Sequence, residues 1–260
     1  MSLYHYKAKI EYNGTAYSGW QIQSQGEKTI QGELNRSLSS IAKTHEVKTI
    51  GGGRTDAGVH AFGQIVRIEM PLSITPDGLR KALTTKLPPD IRCLEVWSCT
   101  PDFHPIFSAV SKEYVFFFTN RCDGPSVFQL NRIANCPFPL DIELVRDACA
   151  LFVGEHDFVN FSTKGTPVKS TIRTIFECEL ISSSIGEFPN HLSLPCFMLR
   201  IRGNGFLKQM VRLIVGAIWE VGRGKISTDI VKKALEGSRE LRAGPVAPPE
   251  GLYLKEIFYS

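Results

Sequence analysis

The sequence predicts an α+β fold, an antiparallel sheet with helices packed on one face. Two observations predict it. Strand-like alternation and helix-like stripes follow one another in the order strand, helix, strand, strand, helix, strand. The second half approximates the same order, with no convincing residue identity between the halves. That order, with two strands in succession between the helices, suits an antiparallel sheet with helices on one face.

Each element has its own signal. Tyr4 to Tyr12 alternates like a strand, and Thr29 to Lys43 places Ile30, Leu34, Leu38 and Ile41 on one helical stripe. Val47 to Ile50 and Ala61 to Ile68 read as strands flanking a glycine-rich segment. Pro76 to Lys86 reads as a helix with proline near its start, and Ile91 to Cys99 as a strand. The second half opens with the strand Lys112 to Asn120. A helix follows over Ile142 to Val153, with Ile142, Val145, Cys149 and Phe152 on one stripe and Gly154 as its stop. Thr171 to Ser182 and His191 to Arg202 read as strands, Phe206 to Val221 and Thr228 to Glu236 as helices, and Leu252 to Phe258 as the closing strand. Arg121 to Pro125 and Ser182 to Asn190 read as surface loops. The expected division is 1–105 and 106–260.

Composition narrows the classes. A chain of 260 residues makes one large domain or two ordinary ones, and 43% hydrophobic with 22% charged residues is the balance of a soluble globular protein. No apolar run approaches the roughly 18 residues of a membrane span. The longest, Leu213 to Trp219, contains Gly216. No basic segment followed by an apolar core opens the chain, so a cytoplasmic protein is expected. Seven scattered cysteines with no CxxC pair argue against a disulfide framework or a zinc site. Net charge is +4, but residues 200–242 hold ten Lys/Arg against four acids, so the remainder sums to −2. Such a region can supply phosphate contacts or be an ordinary solvated face; charge alone leaves both readings open.

The most informative segment is Gly53-Arg54-Thr55-Asp56-Ala57-Gly58-Val59-His60-Ala61. One carboxylate stands between glycines with an arginine two residues before it, on a loop between strands, the usual seat of chemistry. This nonamer matches the active-site motif of the TruA family of tRNA pseudouridine synthases. Tyr12-Asn13-Gly14, Gly19-Trp20-Gln21, Phe107-Ser108-Ala109 before Tyr114, Asn204-Gly205-Phe206-Leu207 before Met210-Val211-Arg212, and Ala247 to Leu252 also resemble that family, from about Tyr6 to Phe258. The resemblance implies two ferredoxin-like/RRM-like subdomains joined in a mostly antiparallel sheet with a catalytic cleft. It implies isomerisation of uridine to pseudouridine in the tRNA anticodon stem-loop, at tRNA positions 38 to 40. It also implies a homodimer and no cofactor.

The candidate site follows residue by residue. By this resemblance Asp56 is the catalytic carboxylate, able to attack C1′ of the ribose, to attack C6 of the base, or to take a sugar proton. Arg54 is a substrate-binding candidate. Arg212 lies in a helix apolar on nearly every side, where a charge is costly unless paired; by resemblance its partner is Asp56. Tyr114, by resemblance, lies against the target base. Phe116 stands where many family members carry a second tyrosine, and Ala134-Asn135 departs from an aromatic residue common in that region. His60 reads as a structural turn histidine. No metal-like spacing, P-loop, dinucleotide fingerprint or Ser/His/Asp signature occurs, so neither metal nor cofactor is expected. Two rivals remain: a tRNA-binding protein without chemistry, which would not need Asp56, and a nucleosidase or glycosidase. The latter needs a second carboxylate, and Glu69, on the following strand, is the first acid after Asp56.

Overall fold

The computed structural model describes residues 3–23, 26–163, 168–185, 194–237, 241 and 243–260. In chain order the elements are β1 (Tyr4–Tyr12), α1 (Ile30–Ala42), β2 (Lys48–Gly51), β3 (His60–Met70), α2 (Pro76–Lys86), β4 (Ile91–Ser98) and β5 (Ala109–Thr119). Then follow β6 (Ala134–Asn135), α3 (Ile142–Leu151), β7 (Gly154–Asp157), β8 (Ile172–Ile185), β9 (Leu194–Gly203), α4 (Met210–Gly222), α5 (Thr228–Leu235) and β10 (Leu252–Tyr259). The chain forms two compact units: residues 1–110 with 253–260, and residues 111–252.

In the first unit β1 lies between β3 and β4, antiparallel to both. Its alternate residues Tyr6, Ala8, Ile10 and Tyr12 are buried, as period-2 alternation requires. α1 covers the sheet with Ile30, Leu34 and Leu38, and α2 with Leu79 and Leu83. Burying each such leucine or isoleucine contributes about 1.5–3 kcal/mol. Both helices start on threonine caps: the Thr29 side chain accepts from the Gly32 amide and Thr75 from the Gly78 amide. Pro76 occupies the first turn of α2, where its missing N–H is harmless. β2 pairs antiparallel with residues 66–69 of β3, and β10 pairs parallel with residues 60 and 61, so both use the same edge of β3. The closing strand thus groups with the first unit although it follows the second in sequence. Alternation within a strand says which residues face the core, not which edge the strand will join.

The second unit pairs β5, β9, β8 and β7 antiparallel in that order, with β6 parallel to the end of β5. Phe116, Phe118, Leu199 and Ile201 are fully buried on one face of its sheet. Two boundaries differ from the sequence expectation. α4 starts at Met210 rather than Phe206, because Gln209 is left-handed (φ 59°) and a helix cannot run through it. α3 stops at Leu151, and Gly154 opens the short strand β7, whose sequence Gly-Glu-His-Asp has no apolar alternation and forms through its ladder to β8. Of the loop expected over Ser182 to Asn190, residues 182–185 belong to β8 and the rest lies outside the described residues. Arg121 to Pro125 is a turn closed by Gly124 N–H to Arg121 O at 3.0 Å.

Segment 243–247 crosses α4 at contact distance. A Cβ on Gly216 would sit 1.8 Å from the Pro245 carbonyl oxygen. Gly216→Ala therefore has to displace backbone rather than a side-chain tip, and should cost about 3 kcal/mol, the upper range for overpacking. Urea unfolding should show a lower midpoint at unchanged slope.

Candidate active site

The loop between β2 and β3 is held by polar contacts buried beneath it. The Gln64 side-chain amide pairs with the main chain of Gly53 twice: Gly53 N–H donates to Oε1 at 3.0 Å, and Nε2 donates to the Gly53 carbonyl at 2.6 Å. Gln64 is fully buried, so this pair replaces water for both groups. Gly52 N–H donates to the Ile65 carbonyl at 2.7 Å. The Thr55 hydroxyl shares a 2.8 Å hydrogen bond with the Tyr12 hydroxyl, and the Thr55 carbonyl accepts from Trp20 N–H at 3.1 Å. Burial holds the Tyr12 phenol well above its ordinary pKa, so it remains a neutral hydrogen-bonding group.

Asp56 begins a tight turn. Its carbonyl accepts from Val59 N–H at 3.2 Å, and Gly58, third in the turn, has φ 77°. That is the type II geometry, which calls for glycine at this position. His60 ends the loop buried: its Nδ1 accepts from Gly14 N–H at 3.0 Å, and its ring stacks on Tyr253 at 4.5 Å. Along the loop, Gly51 to Gly53, Thr55, Val59 and His60 are buried, Asp56 is half-buried and Arg54 is exposed. The segment fixes its backbone from below and carries its two charged residues at its less buried positions.

Glu69, the first acid after Asp56, lies nine residues beyond His60 along β3, roughly 30 Å at strand rise. It pairs there with Arg67 at 3.1 Å and Lys48 at 3.6 Å. It does not supply a second carboxylate beside Asp56.

In the second unit Tyr114 sits on β5 opposite Ile201 and is 7% exposed, its ring edge-on to Phe206 at 4.9 Å. Phe206 belongs to a turn tied to β8 by two hydrogen bonds of 3.0 Å, Thr174 N–H to the Asn204 side chain and Asn204 N–H to the Thr174 carbonyl. Phe116 lies fully buried against Trp219, ring centroids 5.8 Å apart, so the aromatic at this position is core packing. Every residue of α4 is buried except Arg212. Its Nε donates to the Ala247 carbonyl at 2.6 Å, and its own carbonyl accepts from Ala247 N–H at 3.1 Å. The strap that needs Gly216 thus also orients the guanidinium.

A family profile described as tRNA pseudouridine synthase matches residues 8–108 and 148–260. The chain belongs to this family. Among its curated relatives named tRNA pseudouridine synthase A, that of Geobacillus sp. (strain WCH70) is 41% identical over 254 residues, 97% of each chain. The Exiguobacterium sibiricum relative is 40% identical, covering 98% of this chain and 96% of its own, and that of Bacillus subtilis (strain 168) is 36% identical, covering 97% and 98%. The matched residues of the tRNA pseudouridine synthase family include Asp56 and Arg212.

The basic stretch of this synthase is less positive in space than along the chain. Arg200 pairs with Glu177 and Glu179, and Arg202 pairs with Glu177, acids that lie outside the 200–242 window. Arg223 and Lys225 share Glu220, and Lys232 pairs with Asp229. Lys208 and Lys233 are exposed; Arg239, Glu240 and Arg242 lie outside the described residues. Sequence reasoning attached no role to Gln64, yet one amide at a core-facing position of an apolar strand was a readable signal. It also passed over Lys112, two residues before Tyr114. Burial, reinforced by the charge of Arg173, pushes the Lys112 ammonium down from 10.5 to about 8.

The sign of that shift gives a test. Below pH 8 the folded chain carries a charge it disfavours; between pH 8 and 10.5 the unfolded chain holds the proton longer, so the cost fades as pH rises. Lys112→Met should therefore be more stable than the parent by about 1–3 kcal/mol at pH 7. The gap should narrow by about pH 10 in paired urea titrations.

Proposed function

We propose that this chain converts uridine to pseudouridine in tRNA, with Asp56 as the reacting carboxylate. The observation that carries the reading is the clamped loop bearing Asp56 in a chain of this family. The N1–C1′ bond breaks, the uracil turns, C5 bonds to C1′, and the proton lost from C5 is balanced by one gained at N1. The rearrangement is internal and balances without oxidant, reductant or cofactor. Asp56 opens it by attack on C1′, attack on C6, or removal of a sugar proton. A loop fixed from below keeps the carboxylate from relaxing away from the substrate, which is where positioning lowers a barrier.

Arg54, exposed on the same loop, is the proposed phosphate-facing substrate contact. Arg212 is the proposed counter-charge for Asp56, its donor direction set by the Ala247 carbonyl. Tyr114 is the proposed platform for the extruded base, which an enzyme acting on a nucleobase must take out of its stack. The proposed target is the anticodon stem-loop, tRNA positions 38 to 40, in the cytoplasm. Among the described residues no helix is long and apolar enough to cross a membrane. A homodimer completes the proposal. A tRNA is longer than one 29.0 kDa subunit. A two-fold partner offers a second basic surface to the part of the tRNA outside the active site.

Unmodified tRNA incubated with the protein and mapped for pseudouridine tests the activity. Asp56→Asn should abolish it while changing tRNA affinity less than about tenfold, because phosphate contacts dominate binding. Turnover within about tenfold of the parent would remove Asp56 from the mechanism. Tyr114→Leu should weaken binding of the target stem-loop by about 1–3 kcal/mol more than Tyr114→Phe, the worth of a stacked ring. A Phe variant slowed by about a hundredfold in single turnover would add a proton-transfer role for the hydroxyl. Light scattering at micromolar concentration should give twice the chain mass.

A further inference from the structure

Lys112 on β5 and Arg173 on β8 lie on one face of the second unit's sheet, with β9 between them. Gly203 of β9 pairs with Lys112 on one side and with Ile175 on the other. Arg173, two residues before Ile175, shares its face, and Tyr114, two residues after Lys112, shares that face too. The turn 204–206 closes over this corner. Arg173 Nε lies 3.4 Å from where a Cβ on Gly205 would stand. Phe206 reaches to 3.4 Å from the Cβ position of Gly203 and stands edge-on to Tyr114. One NH₂ group of Arg173 donates to the Ser170 and Ile172 carbonyls at 3.0 and 2.6 Å, which fixes the guanidinium. Two cations are thus held at one corner beside the tyrosine, and both are only half-exposed.

We propose that Lys112 and Arg173 form a phosphodiester subsite for the RNA backbone next to the nucleotide that Tyr114 receives. The inference rests on the reading of Tyr114 given above. Folding holds two like charges together where burial weakens the hydration of each, and burial lowers the pKa of both. An anion reverses that cost, because it favours the charged forms that burial disfavours. A phosphodiester fits the chemistry: it is monoanionic, it accepts from a lysine point charge and a planar guanidinium at once, and in an RNA it always flanks the base. A subsite at this corner would register the strand as the base is turned out, so that backbone binding supports base extrusion.

The test uses a synthetic RNA stem-loop containing the target uridine, with each phosphate in turn replaced by a neutral methylphosphonate. Binding is measured to the full-length Asp56→Asn protein, so that no turnover intervenes, and to the same protein carrying Lys112→Met. One or two adjacent phosphates near the target should lose about tenfold in affinity when neutralised in the lysine-bearing protein. The same replacements should change affinity less than about twofold in the methionine protein, and the salt slope should fall by about 1. Lys112→Arg should keep the sensitivity, and Arg173→Gln should reproduce the loss at the same phosphates, which guards against a folding defect in any one variant. Losses that simply add at every phosphate, or a Lys112→Met protein of unchanged salt slope, would overturn the subsite. A parent protein that makes no pseudouridine but shows the phosphate coupling would overturn the catalytic reading alone. Normal turnover without coupling would overturn only the subsite.

Discussion

The amide of Gln64 holding both polar groups of Gly53 is the contact on which the site depends. A glycine-rich loop has the greatest conformational entropy to lose, and its glycines carry no side chains to restrain it. The restraint comes from beneath, through a fully buried side chain whose donor and acceptor each meet their opposite. Buried amides of this kind are costly if half satisfied and rigid if fully satisfied. The Tyr12–Thr55 hydroxyl pair and the Gly14–His60 bond repeat the principle a few residues further on. A carboxylate carried by such a loop has its backbone decided before substrate arrives.

The same logic orients the arginine of α4. A charge in a helix that is otherwise buried needs a direction in which to leave it, and the strap at 243–247 gives one. Ala247 both donates to the Arg212 main chain and accepts from its side chain, so helix and strap position the guanidinium together. The close approach of strap and helix is possible only because residue 216 has no side chain. What looks in sequence like a weak point in an apolar helix is the condition for placing a cation at its start.

Much of this was legible in the sequence, and the rest was hidden for identifiable reasons. Local signals placed α1 and α2 almost to the residue, since Thr29, Thr75 and Pro76 act within one turn of themselves. Asp56, Arg54, Tyr114 and Arg212 could be named as candidates because the residues around them form motifs that resemble the family's. The start of α4 was misplaced by the backbone conformation of one residue, Gln209, which its amino-acid type does not announce. β7 was missed because its stability comes from β8 and not from its own composition. Partnership of the last strand with β3 is a long-range choice of edge, invisible to periodicity. Charge counting along residues 200–242 does not see the local pairing for a related reason: the glutamates that pair with Arg200 and Arg202 sit on the neighbouring strand β8, 21 to 25 residues away. In a sheet the electrostatic neighbour of a residue is across the ladder, not along the chain.

That distinction changes where RNA affinity should be sought. An arginine already bridged to two glutamates must give up those contacts to take a phosphate, so its net gain from binding is small. Arg200 is in that position, and Arg202 and Lys232, each paired with an acid, are so in part. Lys112 differs in its electrostatics. Its charged form is disfavoured before binding, so a phosphate both adds an attraction and removes a penalty that folding left in place. Stability lost at such a residue in the free protein returns as differential affinity in the complex, which is the usual relation between a strained site and its ligand. A census of positive residues would rank the stretch after residue 200 first. Ranking by what each charge gives up on binding moves the weight to the corner beside Tyr114, where one lysine and one arginine are held on a single face of the sheet.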